Sequence, residues 1–265
     1  MIGRETSLKH LFTAEDIAEP LVSVTSNEIE KMKEYFNKNH YDVIGFKENG
    51  RVFGFLDVNM VDFTNPAASM TKFDISDLIT KNTNLMDCLR LLKTKNHLFV
   101  INKSQIESIV TISDIQKPAV RMLFFGAVTF FESKIGNLIH EMYPNDEWKQ
   151  HLTNNRIEKA MNTYSELIKK NQEINLINCT QFSDKTDIIL KDKGLLYDFN
   201  KMSKTKADQF FSKIKKFRDD LAHAQSLAIW FEEEDVITLV VDLINITEIV
   251  IEKDNNLSRR IEINI

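Results

Sequence analysis

The apolar pattern of this 265-residue chain changes near Pro118, and this change most constrains how the chain can fold. Before Pro118, short runs with a strand-like pattern alternate with helical stretches, whereas after it only helical periodicity occurs. The first pattern is typical of helices packed on sheets, and the second of a helical bundle. No Gly/Ser-rich linker separates the halves. We therefore predict an α+β fold with two domains, residues 1–118 and 119–265, joined where one helix continues into the next.

The first half contains an internal repeat. The tripeptide Lys38-Asn39-His40 recurs as Lys95-Asn96-His97, each time after a helical stretch and before two short strand-like runs. The helical stretches are 27–38 and 85–95, and the strand-like runs are 42–46, 52–56, 98–101 and 109–112. We expect Thr25 to cap the first helix in a capping box with Glu28, and Thr83 to cap the second helix. Two such βαββα-type repeats usually pack face to face, because one unit cannot cover its own sheet.

The end of the second repeat carries the most specific pattern of this half. The order helix, strand, turn, strand, followed by Ser108-Ile109-Val110-Thr111-Ile112-Ser113-Asp114, resembles a CBS domain, and residues 8–118 resemble a CBS pair. The resemblance implies a regulatory adenine nucleotide such as ATP, AMP or a cyclic adenylate. It implies that Thr111 contacts phosphate, that Asp114 contacts the ribose hydroxyls, and that Ile79 and Thr80 line the adenine pocket. A carboxylate suits two vicinal hydroxyls, because it can accept a hydrogen bond from each.

The two repeats are not equivalent. The first keeps the family's glycine as Gly54, but it has Asp57 where threonine is expected and Met60 where aspartate is expected. An anion at position 57 would repel phosphate. The second repeat has Ser108 in place of the usual glycine. We therefore expect at most one nucleotide site, built on the second repeat. The alternative is that Asp114 only caps the helix that follows it.

The second half carries one pair of residues with possible chemistry, Arg218 and His223. Helical patterns cover 120–142, 146–170, 187–196, 204–217 and 221–253, the last with an interruption at the acidic run 232–235. An arginine five residues before a histidine is a weak motif by spacing alone. Within an all-helical bundle, however, the pattern resembles the HEPN family. Phe131-Glu132 and the segment 194–199 also resemble parts of that family.

The resemblance to HEPN proteins implies a metal-independent endoribonuclease that acts on single-stranded RNA. His223 would be the general acid/base, since imidazole changes charge near neutral pH. Arg218 would stabilise the charge of the phosphorane when the 2′-hydroxyl attacks the adjacent phosphate. Asp219 belongs to the candidate catalytic group, although the family often has asparagine at that position. The products would be a 2′,3′-cyclic phosphate and a 5′-hydroxyl, and no metal ion is expected.

Helix geometry and local charge add two expectations. Five helical steps of about 100° place Arg218 and His223 roughly 140° apart, so either the helix breaks between them or a second copy completes the site. The HEPN resemblance implies the second case, a homodimer with a composite site. Between residues 201 and 218 the chain has seven basic residues and one acid, although its net charge is −5. Lys213, Lys215 and Lys216 are therefore candidate RNA contacts, unless the run is only a solvated helix face.

Several other classes of protein are disfavoured. Cys88 and Cys179 lie far apart and match no metal-binding spacing, which indicates reduced thiols. The N-terminus lacks the apolar run of a signal peptide. The apolar window 236–251 is short for a bilayer span and carries Asp242 and Glu248, as a buried helix would. We expect a cytoplasmic protein without a membrane partner.

The resulting hypothesis is an endoribonuclease regulated by an adenine nucleotide, in antiviral defence or in a toxin system. One alternative is a non-catalytic regulatory dimer, in which the helical bundle mediates dimerisation or RNA binding. A second alternative is a toxin whose site is blocked or modified by a cognate antitoxin.

Overall fold

The computed structural model describes residues 11–199 and 202–263, with side chains in the last helix described as far as Lys253. Residues 1–10 and Lys201 of the basic run lie outside this description. The chain forms two compact units, Met1–Leu123 and Phe124–Ile265. Strands occur in the first unit, and the regular elements described in the second are helices. The mixed α and β composition expected from the sequence is confirmed.

Two four-stranded sheets form the N-terminal unit as far as the chain is described. The strands are β1 (Glu19–Pro20), β2 (Ser23–Val24), β3 (Val43–Glu48), β4 (Arg51–Asp57), β5 (Thr71–Lys72), β6 (Leu78–Thr80), β7 (His97–Asn102) and β8 (Gln105–Thr111). The strand orders are β1-β8-β7-β6 and β2-β3-β4-β5. In each sheet the central pair is an antiparallel hairpin, with a parallel strand on one side of it. Each repeat thus builds most of one sheet.

The short segment 19–24 belongs to both sheets. Its first part, β1, pairs antiparallel with β8 of the second repeat, whereas β2 pairs parallel with β3 of the first repeat. Leu21 lies between the two strands and packs in one apolar cluster with Phe55 of β4 and Phe99 of β7. The rings of Phe55 and Phe99 have centroids 5.0 Å apart. Because this cluster takes side chains from both sheets, the two repeats pack against each other, as the repeat pattern predicted.

The helix of each repeat covers its own sheet. Helices α1 (Ile29–Asn37) and α2 (Leu85–Leu92) bury the apolar faces that the sequence pattern indicated. The Thr25 backbone N–H donates to the Glu28 carboxylate at 2.8 Å, so the predicted contact is present, but the N-cap of α1 is Glu28 and not Thr25. At α2 the prediction of Thr83 as N-cap is wrong. Asn84 is the N-cap, and its side-chain oxygen accepts from the Met86 N–H at 2.8 Å.

The two copies of the repeated tripeptide do not occupy equivalent positions in the two sheets. His97 begins β7 and pairs with Thr111, whereas the equivalent pair in the first sheet is Val43 with Asp57. His40 therefore lies before its strand, at a left-handed φ of 54°. The tripeptide equated His40 with His97, and this equation is wrong, because strand pairing makes Val43, three residues after His40, the equivalent of His97.

The C-terminal unit is built of helices that differ from the predicted ones mainly at their ends. They are α3 (Pro118–Met142), which begins in the first unit, α4 (Asn154–Lys169), α5 (Phe182–Lys191), α6 (Lys193–Asp198), α7 (Lys204–Ala222), α8 (Ala228–Glu232) and α9 (Val236–Ile263). The single helix predicted at 187–196 is instead α5 and α6. Asp192 separates them, because its extended backbone ends α5 and its carboxylate accepts from the Leu195 N–H at 2.7 Å to cap α6.

Helix α3 is long and apolar enough to cross a membrane by length and composition, alone among the helices described. Half of its apolar window is buried inside the protein. The buried side chains include Phe131, which contacts the rings of Phe182, Phe199 and Phe211. Core helices of globular proteins pass the same test, so this finding is weak support for a membrane span.

Replacement of Gly54 by alanine tests how the first sheet is closed. An added methyl group would overlap the Met70 side chain and lie 2.7 Å from the Thr71 carbonyl oxygen on the neighbouring strand β5. We expect Gly54→Ala to lower the free energy of unfolding by about 1–3 kcal/mol through this crowding. Urea denaturation followed by circular dichroism measures the change. Gly50→Asn is the control, because Gly50 has φ +79° and open space around it; an equal loss in both variants would contradict the explanation.

Candidate functional site

A cleft of about 790 Å³ opens in the N-terminal unit. Its walls come from residues 19–22, from residues 40–43 at the entrance to β3, and from Ile109 and residues 111–114 at the end of β8. Asp57, Asn59, Asn96 and His97 complete the lining. The cleft therefore takes residues from both repeats, and it includes Thr111 and Asp114 of the CBS-like pattern.

Thr111 and Asp114 form the start of a short 3-10 helix, Ile112–Gln116. The Asp114 carboxylate accepts from the Thr111 backbone N–H at 2.7 Å and from its hydroxyl at 3.0 Å. The Thr111 hydroxyl also lies 2.7 Å from the Ser113 hydroxyl. Asp114 is buried, with 8% of its side chain exposed. The N-cap is therefore Thr111, and Asp114 is not itself the cap that the alternative supposed but completes the capping box as the third residue of the helix.

The second oxygen of Asp114 faces Lys117. The Lys117 amine lies 3.0 Å from Asp114 Oδ1, and it also contacts the Glu19 carboxylate and the Ile17 carbonyl oxygen. Burial opposes the charged amine, but the hydrogen bonds to Glu19 and Asp114 outweigh it and raise the pKa of Lys117. A ribose that approached Asp114 would therefore compete with Lys117 for the same oxygen. The spacing of three residues between Asp114 and Lys117 is visible in the sequence, but the contact with Glu19 is not.

Ile79 and Thr80 do not line this cleft. Ile79 is buried in β6, and the Thr80 N–H donates to the Thr83 hydroxyl at 3.0 Å. The apolar wall comes instead from Leu21, Val22 and other residues that the sequence did not single out. Their place depends on the segment 19–24 joining two sheets, and no local pattern indicates that arrangement.

His97 gives the cleft an imidazole of defined charge. Its ring packs against both Phe55 and Phe99, with centroid distances of 5.4 and 5.0 Å. Burial lowers the pKa of His97, and the carboxylates of Asp77 and Asp57 oppose only part of this effect. The ring is therefore neutral at neutral pH.

Asp57 brings a negative charge to the same cleft. Its carboxylate accepts from the backbone N–H of Asn59 at 2.8 Å and from the Asn59 side-chain amide at 3.1 Å. The equivalent position in the second repeat is Thr111, as the strand pairing shows. The strand pairing therefore confirms that Asp57 occupies the position of Thr111, as the comparison of the two repeats predicted.

In the C-terminal unit, Arg218 and His223 lie on one unbroken helix. Helix α7 continues through Ala222, and His223 is its C-cap, with a backbone N–H that donates to the Asp219 carbonyl oxygen at 3.0 Å. The side chain of His223 is exposed. Of the two alternatives drawn from the spacing, a helix break between the residues is therefore excluded. On a continuous helix the two side chains point about 140° apart.

Arg218 is held by a small ionic network. Its Nε lies 3.7 Å from Glu132 Oε2 on α3, and the other Glu132 oxygen lies 3.1 Å from the amine of Lys185. Lys185 is 3% exposed and also donates to the Thr180 carbonyl oxygen at 2.9 Å. The guanidinium keeps an exposed side, because 38% of the Arg218 side chain is accessible. The Glu132 that the sequence pointed to contacts Arg218, whereas no local pattern indicated Lys185.

The acids after Arg218 have different roles. Asp219 is exposed, whereas the Asp220 carboxylate accepts from the indole N–H of Trp230 at 2.8 Å. Trp230 is buried and packs on Phe217, with ring centroids 4.8 Å apart. Asp220 thus fixes the helix to its neighbour, and Asp219 faces solvent beside the candidate site.

The three candidate RNA-contacting lysines differ in their surroundings. Lys213 forms an ion pair with Glu234 at 2.7 Å. The Lys216 amine lies over the Trp230 ring, 5.2 Å from its centroid. Lys215 is exposed, and no ion pair of the described residues involves it. Lys215 is therefore the lysine most open to a phosphate.

The described residues contain no group of histidine, cysteine and carboxylate side chains that could hold a metal ion. Both cysteines are free. Burial raises the pKa of the Cys88 thiol to about 12, so this thiol is not a nucleophile at neutral pH.

No protein-family model and no curated protein matches this chain. Among solved structures, it is similar to CBSX2 in complex with AMP, with 16% identity over 42% of this chain and 98% of that one, at a TM-score of 0.35. It is similar to the CBS domain pair of MJ0100 in complex with 5′-methylthioadenosine and S-adenosyl-L-methionine. The identity is 17% over 39% of this chain and 95% of that one, with a TM-score of 0.33. It is also similar to a CBS domain-containing protein from Thermotoga maritima, with 12% identity over 40% of this chain and 92% of that one, at a TM-score of 0.32.

These neighbours are CBS-domain proteins and cover about 40% of the chain. TM-scores below 0.5 are too low to support a conclusion about function.

The ionic network around Glu132 makes a stability prediction. Removal of this carboxylate leaves the Lys185 amine buried without its charged partner, so we expect Glu132→Ala to lower the free energy of unfolding by about 3 kcal/mol. Tryptophan fluorescence in urea reports on this unit, since Trp148 and Trp230 are the only tryptophans of the chain. Glu158→Ala, on the exposed side of α4, is the control. Identical midpoints for the two variants would show that the network contributes nothing to stability.

Proposed function

We propose that this chain is a ribonuclease regulated by an adenine nucleoside or nucleotide. The N-terminal unit would be a CBS-type sensor, and the C-terminal unit a HEPN-type nuclease without a catalytic metal. The observation that carries the nuclease proposal is the pair of accessible groups on α7: a guanidinium held by Glu132, and an exposed imidazole at the helix end. The sensor proposal is supported by a cleft that contains Thr111 and Asp114.

The proposed reaction uses the two groups as follows. His223 accepts the proton of the RNA 2′-hydroxyl as this oxygen attacks the adjacent phosphorus, or it returns a proton to the leaving 5′-oxygen. Arg218 donates hydrogen bonds to the phosphorane oxygens, for which its planar, permanently charged group is suited. Glu132 positions Arg218 and does not contact the RNA. The phosphorus–5′-oxygen bond breaks, which gives a 2′,3′-cyclic phosphate and a 5′-hydroxyl.

A second copy of the chain would complete the site. Because α7 is continuous, Arg218 and His223 of one copy diverge, and one phosphate cannot contact both without a bend in the helix. A two-fold axis beside the end of α7 would bring Arg218 of one copy towards His223 of the other. A ligand in the cleft would regulate cleavage only if it bound one arrangement of the dimer more tightly than another.

The alternative is a non-catalytic regulatory dimer. The contacts of Arg218 with Glu132, of Lys213 with Glu234, and of Lys216 with Trp230 favour it, because each also has a structural explanation. In that case α7 would only stabilise the bundle, and the exposed His223 would have no catalytic role. Cleavage assays separate the two functions.

We predict that the full chain cleaves a labelled single-stranded RNA in EDTA. Arg218→Ala and His223→Ala should each reduce the rate at least 100-fold, since each removes one of the two groups that act in the transition state. Gln209→Ala, at an exposed position of the same helix, should cleave normally. Product analysis should find the 2′,3′-cyclic phosphate. Equal cleavage by all proteins, or none by the wild type, would favour the regulatory dimer.

Mixing the two inactive variants tests the composite site. If Arg218 and His223 act from different copies, a mixed dimer has one complete site. Random exchange should then restore about a quarter of the wild-type rate, because half of the dimers are mixed and each has one intact site of two. If the two residues act within one copy, the mixture should stay inactive.

The sensor is tested by adenosine binding to the full chain in titration calorimetry. Asp114→Asn should weaken adenosine binding about tenfold, because a charged acceptor for the ribose hydroxyls becomes neutral. The asparagine oxygen can still accept from the Thr111 N–H, so the cap is retained. Asp62→Asn, outside the cleft, is the control. Undiminished binding in Asp114→Asn would assign Asp114 to capping alone.

A further inference from the structure

Lys185 is a buried cation that the proposed reaction does not use. Its side chain is 3% exposed, and its amine donates to the Glu132 carboxylate at 3.1 Å and to the Thr180 carbonyl oxygen at 2.9 Å. Lysine is rarely buried to this extent, because removing the amine from water has a cost that one ion pair often fails to recover. Stability alone is therefore a weak reason for a lysine at this position.

Gly136 provides the space in which Lys185 lies. It occupies the turn of α3 that follows Glu132. A Cβ atom at position 136 would lie 2.7 Å from the Asn178 side-chain oxygen and 3.4 Å from Lys185 Cε. Glycine inside a helix is unfavourable relative to alanine, but here it allows the lysine stem to lie close to α3. A helix glycine and a buried amine, each unfavourable by itself, thus both serve the contact of Lys185 with Glu132.

The contact changes the charge that the helical unit presents at Arg218. Glu132 faces two cations, the Lys185 amine at 3.1 Å and Arg218 Nε at 3.7 Å. Without Lys185, the carboxylate would offset the charge of Arg218, whereas with it the three side chains carry a net charge of about +1. Arg218 is the most exposed of the three, at 38% against 19% for Glu132 and 3% for Lys185. The excess positive charge is therefore presented to solvent by the guanidinium.

The neighbouring acids do not remove this charge. Asp184 precedes Lys185 on α5, but its carboxylate forms an ion pair with Arg156 of α4. Asp219 is exposed and lies one helical step, about 100°, from Arg218. Water and salt screen an exposed carboxylate more strongly than a partly buried one. Glu132 is thus the acid with the strongest influence on Arg218, and Lys185 is the cation that offsets it.

We propose that Lys185 is a positioning residue for the nuclease site. It holds one oxygen of Glu132 and cancels the charge of that carboxylate, so that Arg218 is fixed in place and still attracts a phosphodiester. Lys185 does not contact the RNA. The identity of the anion rests on the proposed function, whereas the charge at Arg218 rests on the network alone.

Binding of a labelled single-stranded DNA oligonucleotide tests this role. The oligonucleotide has phosphates but no 2′-hydroxyl, so the proposed reaction cannot cleave it. With the full chain in EDTA, fluorescence anisotropy should show about tenfold weaker binding by Lys185→Met, because Glu132 then neutralises Arg218. Lys159→Met removes the same charge from an exposed position of α4 and should bind like the wild type. Cleavage of RNA by Lys185→Met should slow in parallel.

A double variant separates charge from structure. Glu132→Gln combined with Lys185→Met removes both buried charges and leaves Arg218 with its own positive charge. It should recover wild-type binding of the oligonucleotide to within about twofold. A purely structural role of Lys185 predicts no recovery, since the lysine contacts are missing in both proteins. Circular dichroism shows which variants are folded.

The outcomes distinguish this inference from the proposed function. If the wild type binds the oligonucleotide but does not cleave RNA, the nuclease is overturned, and the variants still decide the role of Lys185. Equal binding by Lys185→Met and Lys159→Met overturns that role, and so does a double variant that binds as weakly as Lys185→Met. If Lys185→Met does not fold, a double variant that binds as weakly as Arg218→Ala overturns it. No binding by the wild type overturns both proposals.

Discussion

The pairing of one short segment with two different sheets is the constraint on which the N-terminal unit depends. β1 and β2 are separated by only two residues, yet β1 extends the sheet of the second repeat and β2 that of the first. Leu21 therefore packs in one cluster with Phe55 of the first sheet and Phe99 of the second. The same step brings Glu19 to Lys117 and places residues 19–22 along the cleft. A shift of one residue in this segment would reverse which of its side chains face the core.

The Asp114 carboxylate can stabilise the start of its helix and still be able to contact a ligand. A buried carboxylate needs hydrogen-bond donors whether or not a ligand is present, and Thr111 and Lys117 supply them. In an empty cleft the Lys117 amine satisfies the oxygen that a ribose would use. The cost of exchanging an amine for two hydroxyls is smaller than that of uncovering an unpaired carboxylate. The motif can therefore be stable without its ligand and still bind one.

Sequence patterns predicted the features that short-range interactions determine, but they did not predict features that depend on contacts between distant segments. The apolar faces of α1 and α2, the end of α3 before Pro144 and the contact of Thr25 with Glu28 follow from short-range periodicity and capping. The tripeptide repeat misled because identity over three residues does not fix strand register, which hairpin pairing sets. Of the expected nucleotide residues, Thr111 and Asp114 share the cleft. Ile79 and Thr80 do not, because the crossing of segment 19–24 brings other residues there.

The net charge of −5 conceals two local fields of opposite sign. The cleft of the N-terminal unit is lined by carboxylates, whereas α7 carries most of a basic run and ends in Arg218 and an exposed His223. Fields of this kind act over about one Debye length, roughly 8–10 Å at physiological salt, so each surface selects its partner by its own charge and not by the total. The basic residues of α7 favour an anionic partner there, whereas the carboxylates of the cleft disfavour one.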